Sequence, residues 1–205
     1  MYSKRSGLIL GFHGCDKSVL DKVINGKDVL QKSMNDYDWL GHGIYFWEND
    51  NERALEYAKT ISKSKTTSHP FVYEPAVIGA VIDIGYCLDL LNSNYLKLLK
   101  ISYDLLIEYH HKYGSSIPQN KPLGDEKDLL IRKLDCAVIE NLHQFYKETK
   151  KQEFDTVKGV FWEGSVLYPQ AGFREKNHIQ ICVRNPNCIK GYFLPQELDN
   201  NYIIP

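Results

Sequence analysis

The chain has 205 residues, of which 43% are hydrophobic, so it is long and apolar enough for one domain with a sizeable core. Its formal net charge of -1 and its pI of about 6.6 do not indicate a broad basic surface for nucleic acid or an anionic membrane. The five cysteines form an odd set without a CxxC pair, which favours reduced thiols over a disulfide framework.

The N-terminal segment lacks the pattern of a targeting signal. Lys4 and Arg5 precede a short apolar run at 7–12, and His13 interrupts that run. Six apolar residues are too few for a signal-peptide core or a membrane span. We therefore expect a cytoplasmic protein, although a toxin or effector exported without a cleaved signal would have the same features.

The first half of the chain alternates predicted strands with predicted helices. Asp16 is positioned to N-cap a helix that Asn25 and Gly26 end, and Asp50 is positioned to N-cap a second helix. The apolar runs before and between these helices are short, β-branched or aromatic, and bounded by glycine, which is typical of strands. The predicted strands lie at 6–14, 41–49 and 77–84.

The second half begins with two predicted helices. Apolar spacing predicts one helix at Asn94–Tyr113 and another from Asp125 to about Lys150, joined by a Pro/Gly/Ser linker at Gly114–Gly124. Strands are predicted afterwards at 156–163, 178–183 and 189–194. This order predicts an α+β fold, with residues 1–205 forming one domain and the helical pair forming an insertion at about 92–150.

Several motifs with known chemistry are absent from the sequence. There is no P-loop, no GxGxxG after a strand, no HExxH and no GxSxG. His110 and His111 are adjacent on a predicted helix, where neighbouring side chains point apart, so they make a poor metal clamp. We therefore expect no metal site.

Three polar or aromatic side chains remain on otherwise apolar predicted strands, namely His13, Tyr45 and Gln180. In each case strand alternation turns the side chain away from the adjacent hydrophobic positions. Such a side chain must either be hydrogen-bonded inside the protein or line a cleft. Three of them on three separate strands favour a cleft.

Two alternatives use the same residues differently. Cys15 could act as a nucleophile with His13 as its base, but side chains two residues apart on a strand run parallel instead of converging. Alternatively, His13, Tyr45 and Gln180 could be hydrogen-bonded core residues of an interaction domain without catalytic activity.

Short segments of this chain resemble the three motifs of the diphtheria-toxin-like ADP-ribosyltransferases, the family that includes the poly-ADP-ribose polymerases. The first is Phe12-His13-Gly14-Cys15, and the second is Gly41-His42-Gly43-Ile44-Tyr45-Phe46. The third is the polar-leading strand with Gln180, since Ile189-Lys190-Gly191-Tyr192-Phe193 then falls where the family has its next strand. The resemblance covers these motifs and the order of elements between them, and it implies two antiparallel sheets that frame an NAD cleft, with flanking helices.

The resemblance also implies roles for single residues. His13 would hydrogen-bond the adenosine ribose of NAD, and the Gly14 backbone would hold the nicotinamide amide. Tyr45 would stack on the nicotinamide ring, and Tyr57, twelve positions later, would be the second stacking tyrosine, offset by one from the family spacing. Cys15 replaces the usual serine or threonine beside the nicotinamide amide, and a thiol is a weaker hydrogen-bond donor.

Gln180 stands where the family usually has a glutamate, which as a charged acceptor stabilises the oxocarbenium-like state as nicotinamide leaves. Three outcomes stay open. The protein could be a mono-ADP-ribosyltransferase with a His-Tyr-Gln set, with an unidentified macromolecular acceptor. A nearby acid, Glu163 or Glu175, could supply the missing charge, with Glu175 in the acceptor-facing loop at 164–177. The domain could also bind NAD or ADP-ribose without transferring it. Polymer synthesis is the least expected outcome without the glutamate.

Overall fold

The computed structural model describes residues 7–63, 71–122, 128–197, 199 and 201–202. The strands are β1 (Leu8–Asp16), β2 (Ile44–Glu48), β3 (Pro75–Asp83), β4 (Cys87–Asp89), β5 (Asn120–Lys121), β6 (Ile131–Arg132), β7 (Thr156–Phe161), β8 (His178–Val183) and β9 (Ile189–Phe193). The helices are α1 (Lys17–Ile24), α2 (Asn51–Lys63), α3 (Ser93–Tyr113) and α4 (Lys133–Glu148).

Seven strands form one sheet in the order β4-β7-β8-β2-β1-β3-β9, and β5 and β6 form a separate two-stranded ribbon. Neighbouring strands of the large sheet run antiparallel, except that β4 and β7 run parallel. The α+β class expected from the sequence is confirmed at this level.

The arrangement of the strands differs from the expected pair of antiparallel sheets. β1 pairs with β3 over nine residues, but it pairs with β2 only through Gly11 with Glu48 and Phe12 with Trp47. The large sheet therefore has two halves, β4-β7-β8-β2 and β1-β3-β9, which are joined at this short junction. The two halves belong to one sheet because β1 and β2 still pair at this junction. Beyond Phe12 and Trp47, β1 and β2 are no longer paired.

Strand alternation gives the sheet two differently packed faces. Phe46 and Ile181 lie directly opposite each other on one face, which packs against α1 and is called here the α1 face. Tyr45 and Cys182 lie opposite each other on the other face, which packs against α3 and α4. The buried side chains of each face form a separate hydrophobic cluster, so both sides of the central strands are covered.

Helix α2 lies on the same face as Tyr45. Gly14 alternates with His13 and shares a face with Phe12, which stands opposite Trp47. A Cβ at Gly14 would lie 2.1 Å from the carbonyl oxygen of Ala54 in α2, so the strand and the helix approach as closely as two backbones can. We call this side of the sheet the α2 face.

The predicted helix starts at Asp16 and Asp50 are confirmed. The Asp16 carboxylate accepts a hydrogen bond from the Ser18 N–H at 2.9 Å, and Asp50 accepts one from the Arg53 N–H at 2.9 Å. These bonds satisfy N–H groups that the first turn of a helix leaves without partners.

The predicted start of the second long helix at Asp125 is wrong. Helix α4 begins at Lys133, and residues 125–127 lie outside the described part of the chain. Within the expected linker, Asn120 accepts hydrogen bonds from the Leu134 and Asp135 N–H groups at 2.9 and 3.2 Å. The first turn of the helix is thus capped by a side chain that lies 14 residues before Leu134 in sequence, which local patterns do not reveal.

In the described residues, no helix has the length and apolar character that a membrane crossing needs.

Candidate functional site

The structure places the three residues singled out from the sequence on the adjacent strands β8, β2 and β1 at the centre of the large sheet. Gln180 lies opposite Trp47, and Tyr45 lies opposite Cys182, so Gln180 and Tyr45 point to the α2 face. Alternation puts His13 on the Phe46 side, where the two ring centroids are 5.8 Å apart. Its contact with β2 is the hydrogen bond to the Tyr45 carbonyl, which places the ring at the gap between β1 and β2.

His13 holds a fixed tautomer in this gap. Its Nδ1 lies 2.8 Å from the Tyr45 carbonyl oxygen, and because a carbonyl only accepts, Nδ1 carries the hydrogen. Burial lowers the pKa of His13, although the bond to Tyr45 opposes this shift. The imidazole is therefore neutral at neutral pH, and its Nε2 is a hydrogen-bond acceptor.

The backbone of Gly14 faces the same gap. The Leu10 carbonyl accepts a hydrogen bond from the Asn49 N–H at 3.0 Å, so Leu10 directs its backbone groups towards the β2 side. Backbone direction repeats every second residue in a strand, and Gly14 therefore also directs its N–H and C=O to that side. Strand pairing has ended there, and His13 occupies the Tyr45 carbonyl. Gly14 consequently directs one donor and one acceptor towards the gap, at a position that is itself buried.

Tyr45 is held by the loop before its strand. Its hydroxyl donates to the Gly41 carbonyl at 2.7 Å and accepts from the Leu40 N–H at 2.8 Å. Burial is the main cause that raises the pKa of Tyr45 well above its usual value, so the phenol stays neutral. The half-buried ring is fixed in position without a hydroxyl free for chemistry.

Tyr57 pairs with a residue that the sequence motifs did not single out. Its ring centroid lies 5.0 Å from that of Trp47, and the side chain remains 39% exposed. Desolvation raises the pKa of Tyr57 to about 12. Trp47 is buried directly opposite Gln180, and its Nε1 has no hydrogen-bond partner among the described residues. The sequence could have indicated Trp47 as a site residue, because it lies two residues after Tyr45 and therefore on the same face of the strand.

Cys15 does not reach the cleft. It is 6% exposed in the hydrophobic cluster of the α1 face, and burial raises the pKa of its thiol to about 11. A thiol in this environment is not ionised at neutral pH, so the geometry favours neither a nucleophilic role nor contact with a bound nicotinamide.

The two candidate acids have different surroundings. Glu163 is 9% exposed, and burial raises the pKa of its carboxyl to about 7 despite several nearby cations. Its Oε1 lies 3.7 Å from Nε2 of His178, the first residue of β8. Glu175 is exposed in the loop between β7 and β8, where its N–H bonds the Ser165 carbonyl at 3.0 Å. Glu163 therefore lies beside the central strands, whereas Glu175 belongs to the outer surface.

That loop is fixed to the segment before α4. Arg174 and Asp128 form an ion pair at 2.6 Å, and the Gly164 N–H donates to Asp128 at 3.0 Å. Although burial opposes ionisation, these bonds hold the pKa of Asp128 below its usual value. The loop is thus held next to the end of β7.

An open cavity of about 510 Å³ is not lined by His13, Tyr45 or Gln180. Its lining includes His42, Glu140, Asp155 and Arg184. Arg184 forms a bidentate ion pair with Glu140, so the charges of these two side chains neutralise each other. In the described part of the chain, no group of three or more His, Cys, Asp or Glu side chains could hold a metal ion.

Comparison with known proteins identifies a distant relative whose own function is not characterised. The chain is 26% identical over 198 residues to the uncharacterized protein MJ0359 of Methanocaldococcus jannaschii, covering 87% of this chain and 83% of that protein. No family model matches the chain, and no solved structure matches it. The function therefore has to be inferred from the site itself.

Proposed function

We propose that this protein is a cytoplasmic mono-ADP-ribosyltransferase that moves ADP-ribose from NAD to a macromolecular acceptor and releases nicotinamide. The observation that carries the proposal is the separation of β1 from β2 beyond Phe12 and Trp47. It leaves the Gly14 backbone groups beside the neutral His13 ring and the fixed Tyr45 ring. The resemblance to the ADP-ribosyltransferase motifs implies that these three residues bind NAD together.

Each group suits one part of NAD. The Gly14 N–H and C=O complement a primary carboxamide, which has one acceptor oxygen and a donor NH₂. The Nε2 of His13 accepts a hydrogen bond from a ribose hydroxyl. Tyr45 and Tyr57 supply aromatic faces for the nicotinamide ring, and Trp47 supports the face of Tyr57.

Gln180 orients the ribose that carries nicotinamide. Its carboxamide accepts a hydrogen bond from a ribose hydroxyl as a neutral group, and a charge-assisted bond to glutamate would be about twice as strong. A weaker hold on the developing positive charge favours a single transfer per acceptor over polymer synthesis.

The second candidate function is an NAD-binding or ADP-ribose-binding module without transferase activity. The neutral Gln180 in place of an acid favours it, because the binding groups His13, Gly14 and Tyr45 do not depend on that acid.

Calorimetric titration with NAD tests both candidates. We expect binding by the wild type, a loss of affinity of about tenfold or more in Tyr45→Ala, and little change in Tyr45→Phe, since stacking on a base contributes about 1–3 kcal/mol and only the alanine variant removes the ring. An absence of binding at millimolar NAD would rule out both the transferase and the binding module.

Nicotinamide release then separates the two candidates. A transferase releases nicotinamide from NAD in the presence of cell extract, whereas a binding module does not. Gln180→Glu should raise NAD hydrolysis by about tenfold, because a charged acceptor stabilises the oxocarbenium-like state by roughly a further 1.4 kcal/mol. Unchanged or lower hydrolysis in this variant would argue against the position of Gln180 at the reacting ribose.

A further inference from the structure

Four buried polar atoms at one end of the α2 face have no hydrogen-bond partner among the described residues. They are Trp47 Nε1, Arg53 Nε, Glu163 Oε1 and His178 Nε2, here called the orphan cluster. The ring centroids of Trp47 and His178 are 6.2 Å apart, and Glu163 Oε1 lies 3.7 Å from His178 Nε2. Folded proteins satisfy most buried polar atoms, so a group of unsatisfied ones indicates a place where a ligand completes the hydrogen bonding.

The orphan cluster adjoins the proposed ribose position. Trp47 stands directly opposite Gln180 across β2 and β8. His178 precedes Gln180 by two residues on β8, so the two side chains share the α2 face. A group bound at the orphan cluster is therefore next to the ribose that Gln180 orients.

Within this cluster Glu163 is the acid available to a ligand. The side chain of His178 is 1% exposed, and its Nδ1 donates to the Lys176 carbonyl at 2.7 Å, so its Nε2 is an acceptor in the neutral ring. Burial lowers the pKa of His178, and the neutral ring gives Glu163 no ion-pair partner. The Glu163 side chain is 12% exposed, so it is more accessible than His178 beside it.

The charged groups around Glu163 come from three elements. The cations that act on it are Arg53 of α2, Arg132 of β6 and Lys176 before β8, and the anion that acts on it is Asp128. Burial outweighs these cations and raises the pKa of Glu163 to about 7, so both protonation states are populated near neutral pH. The same cations disfavour a guanidinium or ammonium acceptor, and among the remaining acceptors a hydroxyl is one that needs a base to take its proton.

We propose that Glu163 is the general base that takes the proton from an acceptor hydroxyl during ADP-ribosyl transfer. This inference rests on the proposed function. The bond from the ribose C1 to the nicotinamide nitrogen breaks, and the nitrogen keeps the electron pair. The acceptor oxygen bonds to that carbon, and its proton passes to the Glu163 carboxylate, which later releases it to solvent. Orphaned Trp47 Nε1 and Arg53 Nε donate hydrogen bonds to the acceptor.

The test measures nicotinamide release from NAD, with water and added methanol as hydroxyl acceptors, from about pH 5 to pH 9. The wild type should show a rate that rises with pH through about 7, because only the carboxylate accepts a proton. Glu163→Gln should lower kcat by about a hundredfold and remove this rise, with the NAD affinity unchanged within about twofold. Glu148→Gln, at the exposed end of α4, is the matched control and should behave as the wild type.

Each failure has its own signature. A wild type that does not bind NAD overturns the proposed function and this role with it. A wild type that binds NAD but releases no nicotinamide with water, methanol or cell extract identifies a binding module and overturns the role of Glu163. A Glu163→Gln variant that retains the wild-type rate and pH profile overturns this role alone. If the variant does not fold, a wild-type rate without a rise near pH 7 likewise overturns the role of Glu163 alone.

Discussion

Burial sets the protonation states of single residues in the candidate site. It lowers the pKa of His13, so that the ring is neutral and accepts hydrogen bonds at Nε2. It raises the pKa of Glu163 to about 7, so that a carboxyl exchanges protons near physiological pH. These states depend on neighbours from other strands and helices, so residue type alone does not predict them.

The raised pKa of Glu163 has a consequence for stability. The carboxyl has its usual pKa of 4.5 in the unfolded chain and one of about 7 in the folded protein. Between these values the folded state binds more protons than the unfolded chain, so its stability falls as pH rises through this window. The penalty is absent below the unfolded pKa and complete above the folded one.

We therefore expect Glu163→Gln to be more stable than the wild type at about pH 8, by on the order of 2 kcal/mol, and nearly equal to it at about pH 4. Urea unfolding at the two pH values measures the difference. Glu148→Gln should show no such pH dependence, since that side chain is exposed. An equal effect of Glu163→Gln at both pH values would contradict the burial of its charge.

At the scale of secondary-structure elements, the approach of α2 to β1 determines the shape of the gap. Gly14 is required for this approach because α2 leaves no room for a side chain at that position. The absence of a side chain at Gly14 thus serves the packing of α2 on β1, whether or not a ligand binds in the gap.

Gly14→Ala should destabilise the protein by about 1–3 kcal/mol, because α2 must shift to accommodate the added methyl group. Urea unfolding provides the measurement. Gly191→Ala in β9 is the matched control, since a Cβ there would meet no atom within 4 Å and its backbone lies outside the left-handed region. An equal loss of stability in both variants would show that the close contact between Gly14 and Ala54 does not set the distance between β1 and α2.

At the scale of the whole molecule, the helical pair and the large sheet share one core. Phe154 is 2% exposed between them, with ring centroids 4.5 Å from Tyr86 and 5.2 Å from Tyr146 of α4. Its cluster contains Ile139 and Leu142 of α4 together with Val157 and Cys182 of the sheet. Residues of the predicted insertion therefore stabilise the strands that carry Gln180.

This shared core predicts a single unfolding transition. Phe154→Ala should cost about 3–5 kcal/mol and shift the transition seen by circular dichroism, which reports the helices, together with that seen by tryptophan fluorescence. The three tryptophans lie outside α3 and α4, so the two signals report different parts of the chain. Phe145→Ala, at a position 40% exposed, should cost about 1 kcal/mol or less. Separate transitions would show that the helical pair folds independently.

Local patterns predicted the elements whose signals lie within a few neighbouring residues. The bounds of β8 at His178–Val183 followed from strict alternation, and the starts of α1 and α2 followed from the Asp16 and Asp50 caps. The start of α4 was wrong because its cap is Asn120, which is distant in sequence. The short strands β5 and β6 were missed within the predicted linker and helix, because two-residue strands carry no periodic signal.

The sequence by itself determined the α+β class and the candidates His13, Tyr45 and Gln180, because strand alternation and residue type are local properties. Only the tertiary structure decided that these residues occupy adjacent strands, that Cys15 turns into the core and that Trp47 stands opposite Gln180. It also decided the raised pKa of Glu163, which burial causes and which Arg53, Arg132 and Lys176 from separate elements oppose. Register and desolvation arise between segments distant in sequence, so no single segment encodes them.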